Sequence, residues 1–518
     1  MGPSAAHPAT LLPVTAHRLL WLVAAVAFVV LATANGAGYR YGVSDQAFYI
    51  PAVTHALDAA SFPRDAVVID AQGRLMVLDD MLAAAVRGAG VPLDVLFVAG
   101  YLLSLAVIWI ALVLIGGRLY RSPWAIAALA AAFTLRHRIP RTSANSFEPY
   151  FHPRMLAFGI GALAIAAVLR RRWWPAVLLV AAAALVHITT AMWFAVLIGV
   201  ALAILDRRMR QLAIAGLAGT ALITGWALTA GPLRSSFATM DDLWLQAVAS
   251  KDSLFAFDWP LWAWAANLAL LPALWWAQRV RRRHGLATAE DAALLWGAAA
   301  LVALFLATLP LVALRQALPV QLQISRVFWL LDFLVLAYVV GAIDAWATGR
   351  ARPPAGRSPG SAHTASAAFV AAALLLTVAA VRGAFIMLVE RPDRPLFALH
   401  LPQTPWDEAM QWLSRQPLDV HVFADPGHAW KYGTSVRVSA GRDVLLEEVK
   451  DSAIAIYSRD VAVRVVERTA AIGDFAGLTA PQALGLARRY GLDYLVTEAD
   501  LPLPEAYRNS RFRIYALR

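Results

Sequence analysis

The chain has 518 residues, 60% of them hydrophobic, with no cysteine and a formal net charge of +11, and its mean hydropathy is +0.59. The apolar share exceeds the roughly half that is usual in soluble domains and points to a polytopic membrane protein. The lack of cysteine excludes disulfides, thiolate nucleophiles and cysteine metal sites, and the cations cluster between apolar runs, so the charge reports membrane topology rather than a nucleic-acid partner.

The first apolar run, 18–38, ends without a small-residue cleavage site and is predicted to stay as a helix. Further spans are predicted at 92–116, 122–135, 155–169, 174–187, 190–205, 211–231, 259–279, 290–313, 327–347 and 366–388, about eleven in all. The fifth and sixth are short and form a hairpin around His187. With the N-terminus inside, the arginine clusters at 170–172, 207–210, 279–283 and 350–357 all fall on the cytoplasmic side, following the positive-inside rule. The opposite side receives the first outer loop, 39–91, then 136–154, 232–258, 314–326 and the chain beyond 390.

Asp45 lies where the first helix meets the outer surface, ahead of a run (46–60) with the amphipathic spacing of an interfacial helix. Two readings stay open: Asp45 or Ser44 caps that helix, or Asp45 is a base, which a cap position permits because a carboxylate there stays ionised and oriented. Asp79-Asp80 is expected as a solvated first turn rather than a metal site.

The loop 136–154 breaks the topology rule. Arg136, His137, Arg138, Arg141, His152 and Arg154 place positive charge beyond the outer face, with Glu148 among them. The arginines either snorkel to lipid phosphates or form an anion site, since arginine pairs bidentately with phosphate. His187 reads as a histidine satisfied by the backbone. Gln321, Gln323 and Arg326 form a polar patch at the head of the tenth span, while Asp332 and Asp344 are expected to pair inside the bundle. Lys251, Asp252 and Asp258 are expected to be solvated.

The Pro-, Gly- and Ser-rich stretch 351–365 reads as a flexible linker. Overall the pattern is that of an all-α polytopic membrane bundle (1–390) followed by a small soluble α/β domain (391–518). In that domain helices are predicted at 406–415, 453–468 and 483–490, and strands at 420–423, 436–438, 494–497 and 512–516. No Gly-rich phosphate loop accompanies the strands. Arg437, Arg442, Lys450 and Asp451 read by default as solvated surface, although they could reach the bundle.

The acid past the first helix, the basic outer loop, the many spans and the α/β tail together resemble the GT-C superfamily of membrane glycosyltransferases. The local stretches similar to uncharacterised bacterial members are Ser44-Asp45-Gln46-Ala47-Phe48-Tyr49, Phe62-Pro63-Arg64-Asp65, Glu148 with His152-Pro153-Arg154, Leu185-Val186-His187, Gln323 with Arg326, and Gly441-Arg442-Asp443 with Lys450-Asp451. The resemblance implies a multi-pass protein of the bacterial inner membrane with a cytoplasmic N-terminus and a periplasmic tail. It implies a polyprenyl-phosphate-linked sugar as donor, membrane lipid around it, an acceptor of unknown identity and an inverting displacement. Asp45 would be the base, Arg136, Arg138, Arg154 and Arg326 would hold the donor phosphate, and Glu148, His152, His187 and Gln323 would support them. The chain carries Gln46 where several members have a second acid, so the sequence names no metal ligand and requires no divalent cation, although the family's chemistry is compatible with one. A transporter or lipid flippase, and a non-catalytic scaffold on a degenerate transferase fold, are the rival readings. The absence of repeated halves counts against the transporter.

Overall fold

In a computed structural model of the protein, describing residues 14–73, 77–231, 234, 237–349 and 361–518, six helices are long and apolar enough to cross a membrane: Leu93–Leu119, Ile188–Leu205, Arg207–Thr229, Ala289–Ala313, Ala317–Ala347 and Ala368–Glu390. Four shorter apolar helices stand with them, Leu19–Asn35, Pro123–Thr134, Pro153–Leu169 and Trp173–Val186. By length and composition these helices fit a polytopic helical membrane protein. The eleven-span reading also counts the run 259–279, which here is a helix pair, Leu261–Leu268 and Leu270–Arg283, broken at Ala269.

Pro153–Leu169 is the axis of the bundle and is buried along nearly its whole length. It packs on Leu93–Leu119, Trp173–Val186 and Ile188–Leu205. The Phe194 ring leaves no room for a Cβ at Gly161, so this glycine sets how closely two helices approach. Phe158 stacks on Trp329 with ring centroids 4.2 Å apart, tying the axis to the helix Val327–Gly349.

Among the described residues nine short strands follow in chain order: β1 (Tyr39–Arg40), β2 (Arg138–Ile139), β3 (Ala144–Asn145), β4 (Phe397–Ala398), β5 (His421–Phe423), β6 (Asp443–Val444), β7 (Tyr494–Thr497), β8 (Glu505–Arg508) and β9 (Arg513–Ala516). Strands β2 and β3 make a small hairpin inside the basic outer loop, and β1 pairs in parallel with β4, joining the chain just after its first helix to the chain just after its last. The tail carries a five-stranded sheet of order β6-β5-β7-β9-β8, parallel at β6-β5-β7 and antiparallel beyond.

Several expectations change. Residues 436–438 are not a strand; Val436–Ser439 is a helical turn whose cap Ser435 accepts from the Arg437 N–H. The single helix expected at 453–468 is two, Glu448–Ile454 and Arg459–Ile472. Strands β6 and β8 have no counterpart in the sequence reading. The run 46–60 ends as a helix at Leu57, and rather than lying on the membrane surface it is buried at Gln46, Ala47, Tyr49, Ile50, Pro51 and Val53. Of the linker 351–365, residues 351–360 lie outside the described residues and the remainder begins the helix Ser361–Phe385.

The tail is locked to the first outer loop by a buried ion network. Arg437 donates through Nε to Asp65 at 2.7 Å and to both oxygens of Asp451, at 2.5 and 3.1 Å. Arg464 also pairs with Asp65, and Val444 N–H donates to the same carboxylate at 3.0 Å. Arg437 and Asp451 are therefore core residues, and Arg442, buried, donates to the carbonyls of Ser414 and Gln416. The solvated reading of these three is corrected: the guanidinium groups find enough acceptors to be taken out of water.

Candidate active site

A cavity of about 680 Å³ opens where the first outer loop, the basic loop, the hairpin at His187, the polar patch before Val327 and the tail helix Glu448–Ile454 meet. All nine residues singled out above line it: Asp45, Arg136, Arg138, Glu148, His152, Arg154, His187, Gln323 and Arg326.

Asp45 occupies the position before the helix Gln46–Leu57 but makes no side-chain capping hydrogen bond. Its carboxylate turns into the cavity. Oδ1 accepts from Lys450 Nζ at 2.9 Å, and Oδ2 lies 3.2 Å from His152 Nε2 and 3.4 Å from the Tyr150 hydroxyl. Of the two readings of Asp45, capping is the one that the geometry removes. Its neighbour Ser44 holds φ at 54°, in the left-handed region that costs a non-glycine residue energy, and this kink turns Asp45 inward. Gln46, by contrast, faces away: it accepts from Gly42 N–H at 2.7 Å and donates to the Phe151 carbonyl at 3.3 Å. Burial pushes the Asp45 carboxyl up, but Lys450, His152 and Arg154 outweigh it and hold the group well below the usual carboxylate range.

The tautomer of His152 follows from its second role. Its Nδ1 accepts the Arg154 N–H at 3.3 Å, capping the axial helix, so in the neutral ring Nε2 carries the proton and donates to Asp45. Burial, reinforced by Arg154, lowers His152 to about 4, which keeps the ring neutral at pH 7. His187 caps its own helix in the same manner, accepting from Thr190 N–H at 3.3 Å.

The cations divide into paired and unpaired. Glu148, buried, is bracketed by Arg154 at 2.6 Å and Arg136 at 3.1 Å and accepts from Asn145. Burial raises its carboxyl, and the two arginines, Arg154 foremost, bring it below its ordinary value. Arg326 and Arg138 have no ion-pair partner among the described residues, and Nε of Arg326 is buried without an acceptor. Gln323, in the left-handed conformation at φ 50°, bends the chain ahead of Arg326 and donates to the Tyr457 hydroxyl of the tail at 2.8 Å. Asp332 pairs with His137 of the basic loop at 3.0 Å and Asp344 accepts from the Arg121 N–H in the turn before Pro123–Thr134, so these partners lie in connecting loops.

Sequence reasoning gave neither of two lysines a role in the site, although it allowed that Lys450 could reach the bundle. Lys450 and Lys251 both line the cavity, and Lys251 donates to the Val449 carbonyl at 2.9 Å. Burial and the neighbouring Lys450 lower Lys251 to about 8. Neither is solvated as expected, and Asp252 pairs with Arg141 at 2.9 Å. One signal was available: the chain has just three lysines, Lys251, Lys431 and Lys450, among 45 basic residues. Asp79, expected in water, is buried with neither oxygen bonded among the described residues.

No protein-family model matches the chain, and no curated protein does. Among solved structures the chain is similar to the arabinofuranosyltransferase AftD from Mycobacteria, at 14% identity and a TM-score of 0.47. The similarity covers 96% of this chain and 40% of that one, so the chain spans two fifths of that protein's length.

Proposed function

We propose that the protein is a GT-C-type membrane glycosyltransferase that moves a sugar from a polyprenyl-phosphate carrier to an acceptor on the periplasmic side of a bacterial inner membrane, inverting the anomeric carbon. In this reading residues 1–390 form the membrane bundle and 391–518 a periplasmic domain that roofs the site. The observation that carries it is a carboxylate and an unpaired guanidinium, Asp45 and Arg326, facing one cavity at the edge of a helical membrane bundle.

The chemistry is a single displacement. Asp45 takes the proton of the acceptor hydroxyl as that oxygen bonds the anomeric carbon. The bond from that carbon to the phosphate oxygen breaks, and its electron pair leaves with the polyprenyl phosphate. Arg326 and Arg138, which have no carboxylate to satisfy, meet the charge that develops on the leaving group. Arg136 and Arg154, already shared with Glu148, shape the wall beside it. His152 orients Asp45 through Nε2–H.

The test is release of polyprenyl phosphate by the purified protein in lipid nanodiscs, offered a panel of polyprenyl-phosphate sugars and mixed acceptors. The wild type should release the lipid and Asp45→Asn should not. Release that survives the substitution moves the base away from Asp45, and an absence of release from every donor favours the transporter or scaffold.

A further inference from the structure

Each Asp45 oxygen already has a donor, Lys450 Nζ on Oδ1 and His152 Nε2 on Oδ2, so in the empty site it is a masked base. Of its three neighbours, two are fixed. His152 is pinned by its capping bond to Arg154 N–H, and the Tyr150 hydroxyl donates to Ser44 Oγ at 3.0 Å. Lys450 is different. Its ammonium sits on a flexible four-carbon stem, lies over the Phe48 ring at 5.2 Å, and has no other hydrogen-bond acceptor than Asp45 among the described residues. The backbone beneath it is rigid, because the adjacent Asp451 is clamped by Arg437. A mobile cation on a fixed base can exchange one anion for another within its reach.

We propose that Lys450 is a transferable counter-ion: it masks Asp45 in the empty site and passes to the phosphate of the incoming lipid donor, so that the base is released only once the donor is seated. This rests on the transferase reading above. When the acceptor proton moves to Asp45 Oδ1, the position that Lys450 vacated is the one that receives it. The ammonium then stands beside the phosphate as the bond to the sugar breaks and the lipid phosphate gains its second negative charge. Donor therefore binds before acceptor, and a site without donor holds no free base.

Three lysines make the test direct. Reductive methylation with carbon-13 formaldehyde labels Lys251, Lys431 and Lys450, and the signal of Lys450 is the one missing from Lys450→Arg. Lys431, paired with Asp425 at 2.9 Å outside the cavity, is the internal reference. Polyprenyl phosphate added to the labelled protein in nanodiscs should move the Lys450 signal and leave Lys431 in place. In Asp45→Asn the Lys450 signal should be displaced before any lipid is added. Binding is followed independently with radiolabelled polyprenyl phosphate. A Lys450 signal that stays fixed while the lipid binds overturns the hand-off and leaves the transferase reading standing, whereas failure of the lipid to bind at all overturns both.

Discussion

Arg437 holds both carboxylate oxygens of Asp451, at 2.5 and 3.1 Å, and Asp451 is the residue after Lys450. The same guanidinium reaches Asp65 in the first outer loop. Arg437 thus bridges the loop that carries Asp45 and the helix that carries Lys450, with Arg464 holding the same Asp65. Arg437→Met leaves buried Asp451 without its cation and Asp65 with Arg464 alone, and removing one member of such a network costs about 3–5 kcal/mol. Thermal unfolding in detergent should show this loss, together with reduced release of polyprenyl phosphate.

Glu447 gives the tail a pH dependence of known sign. Burial raises its carboxyl to about 7, offset in part by Arg437. A carboxyl whose folded value exceeds its unfolded one binds more protons in the folded state. Its contribution is therefore whole below the unfolded value near 4.3 and is lost as pH rises through about 7. His428, lowered by burial to about 4, acts in the opposite sense, adding stability above its unfolded value near 6.5 and losing it as pH falls toward 4. Melting curves at pH 5 to 8 for wild type and Glu447→Gln separate the two. The wild type should lose stability across that window relative to Glu447→Gln, and the opposite slope of His428 is read by adding His428→Gln to that variant.

The two roles of His152 come apart under substitution. Asparagine also caps helices, so His152→Asn should unfold within about 0.5 kcal/mol of wild type, whereas His152→Ala should lose about 1 kcal/mol. Both lack the Nε2 donor to Asp45. A hydrogen bond to a charged group contributes about 1.5–3 kcal/mol, so turnover should fall roughly 10- to 100-fold in each. Equal turnover in His152→Asn and wild type would remove the orienting role.

Arg326 and Arg154 should respond oppositely. Arg326 has no counter-ion to abandon, and Arg326→Gln should melt at or above the wild-type temperature while the KM for donor rises roughly 10- to 100-fold. Arg154→Gln strips the nearer partner from buried Glu148 and should cost about 3 kcal/mol. Donor titrations and melting curves on the two variants check both halves.

Much of the cavity is legible in the sequence because its residues violate membrane statistics. Arginine and histidine are depleted on the outer face, so Arg136, Arg138, His152 and Arg154 stand out wherever the chain folds. Their shared location follows from topology, since all four lie in the one loop before Pro153–Leu169 or in that helix's first turn. Lys450 is not legible, because its meeting with Asp45 joins positions 405 residues apart through the docking of the tail. The segment 436–438 misleads for a related reason. Two valines flanking an arginine have strand spacing, but Arg437 is pulled into the acids of two other segments and the backbone closes into a turn around it. Local pattern carries no trace of such a partner. The cap reading of Asp45 fails likewise: a carboxylate drawn to Lys450 and His152 is not available to backbone N–H groups.

The parallel pairing of β1 with β4 ties residues 39–40 to residues 397–398. Its consequence lies in biosynthesis. Asp45 leaves the ribosome early, and at about 5–20 residues per second Lys450 follows roughly 20–80 s later. Until the tail has been synthesised and has folded against the bundle, the seam cannot close and the carboxylate has no ammonium beside it. A nascent or prematurely terminated chain therefore holds Asp45 without Lys450, and the site is completed only by the closure of this two-residue seam.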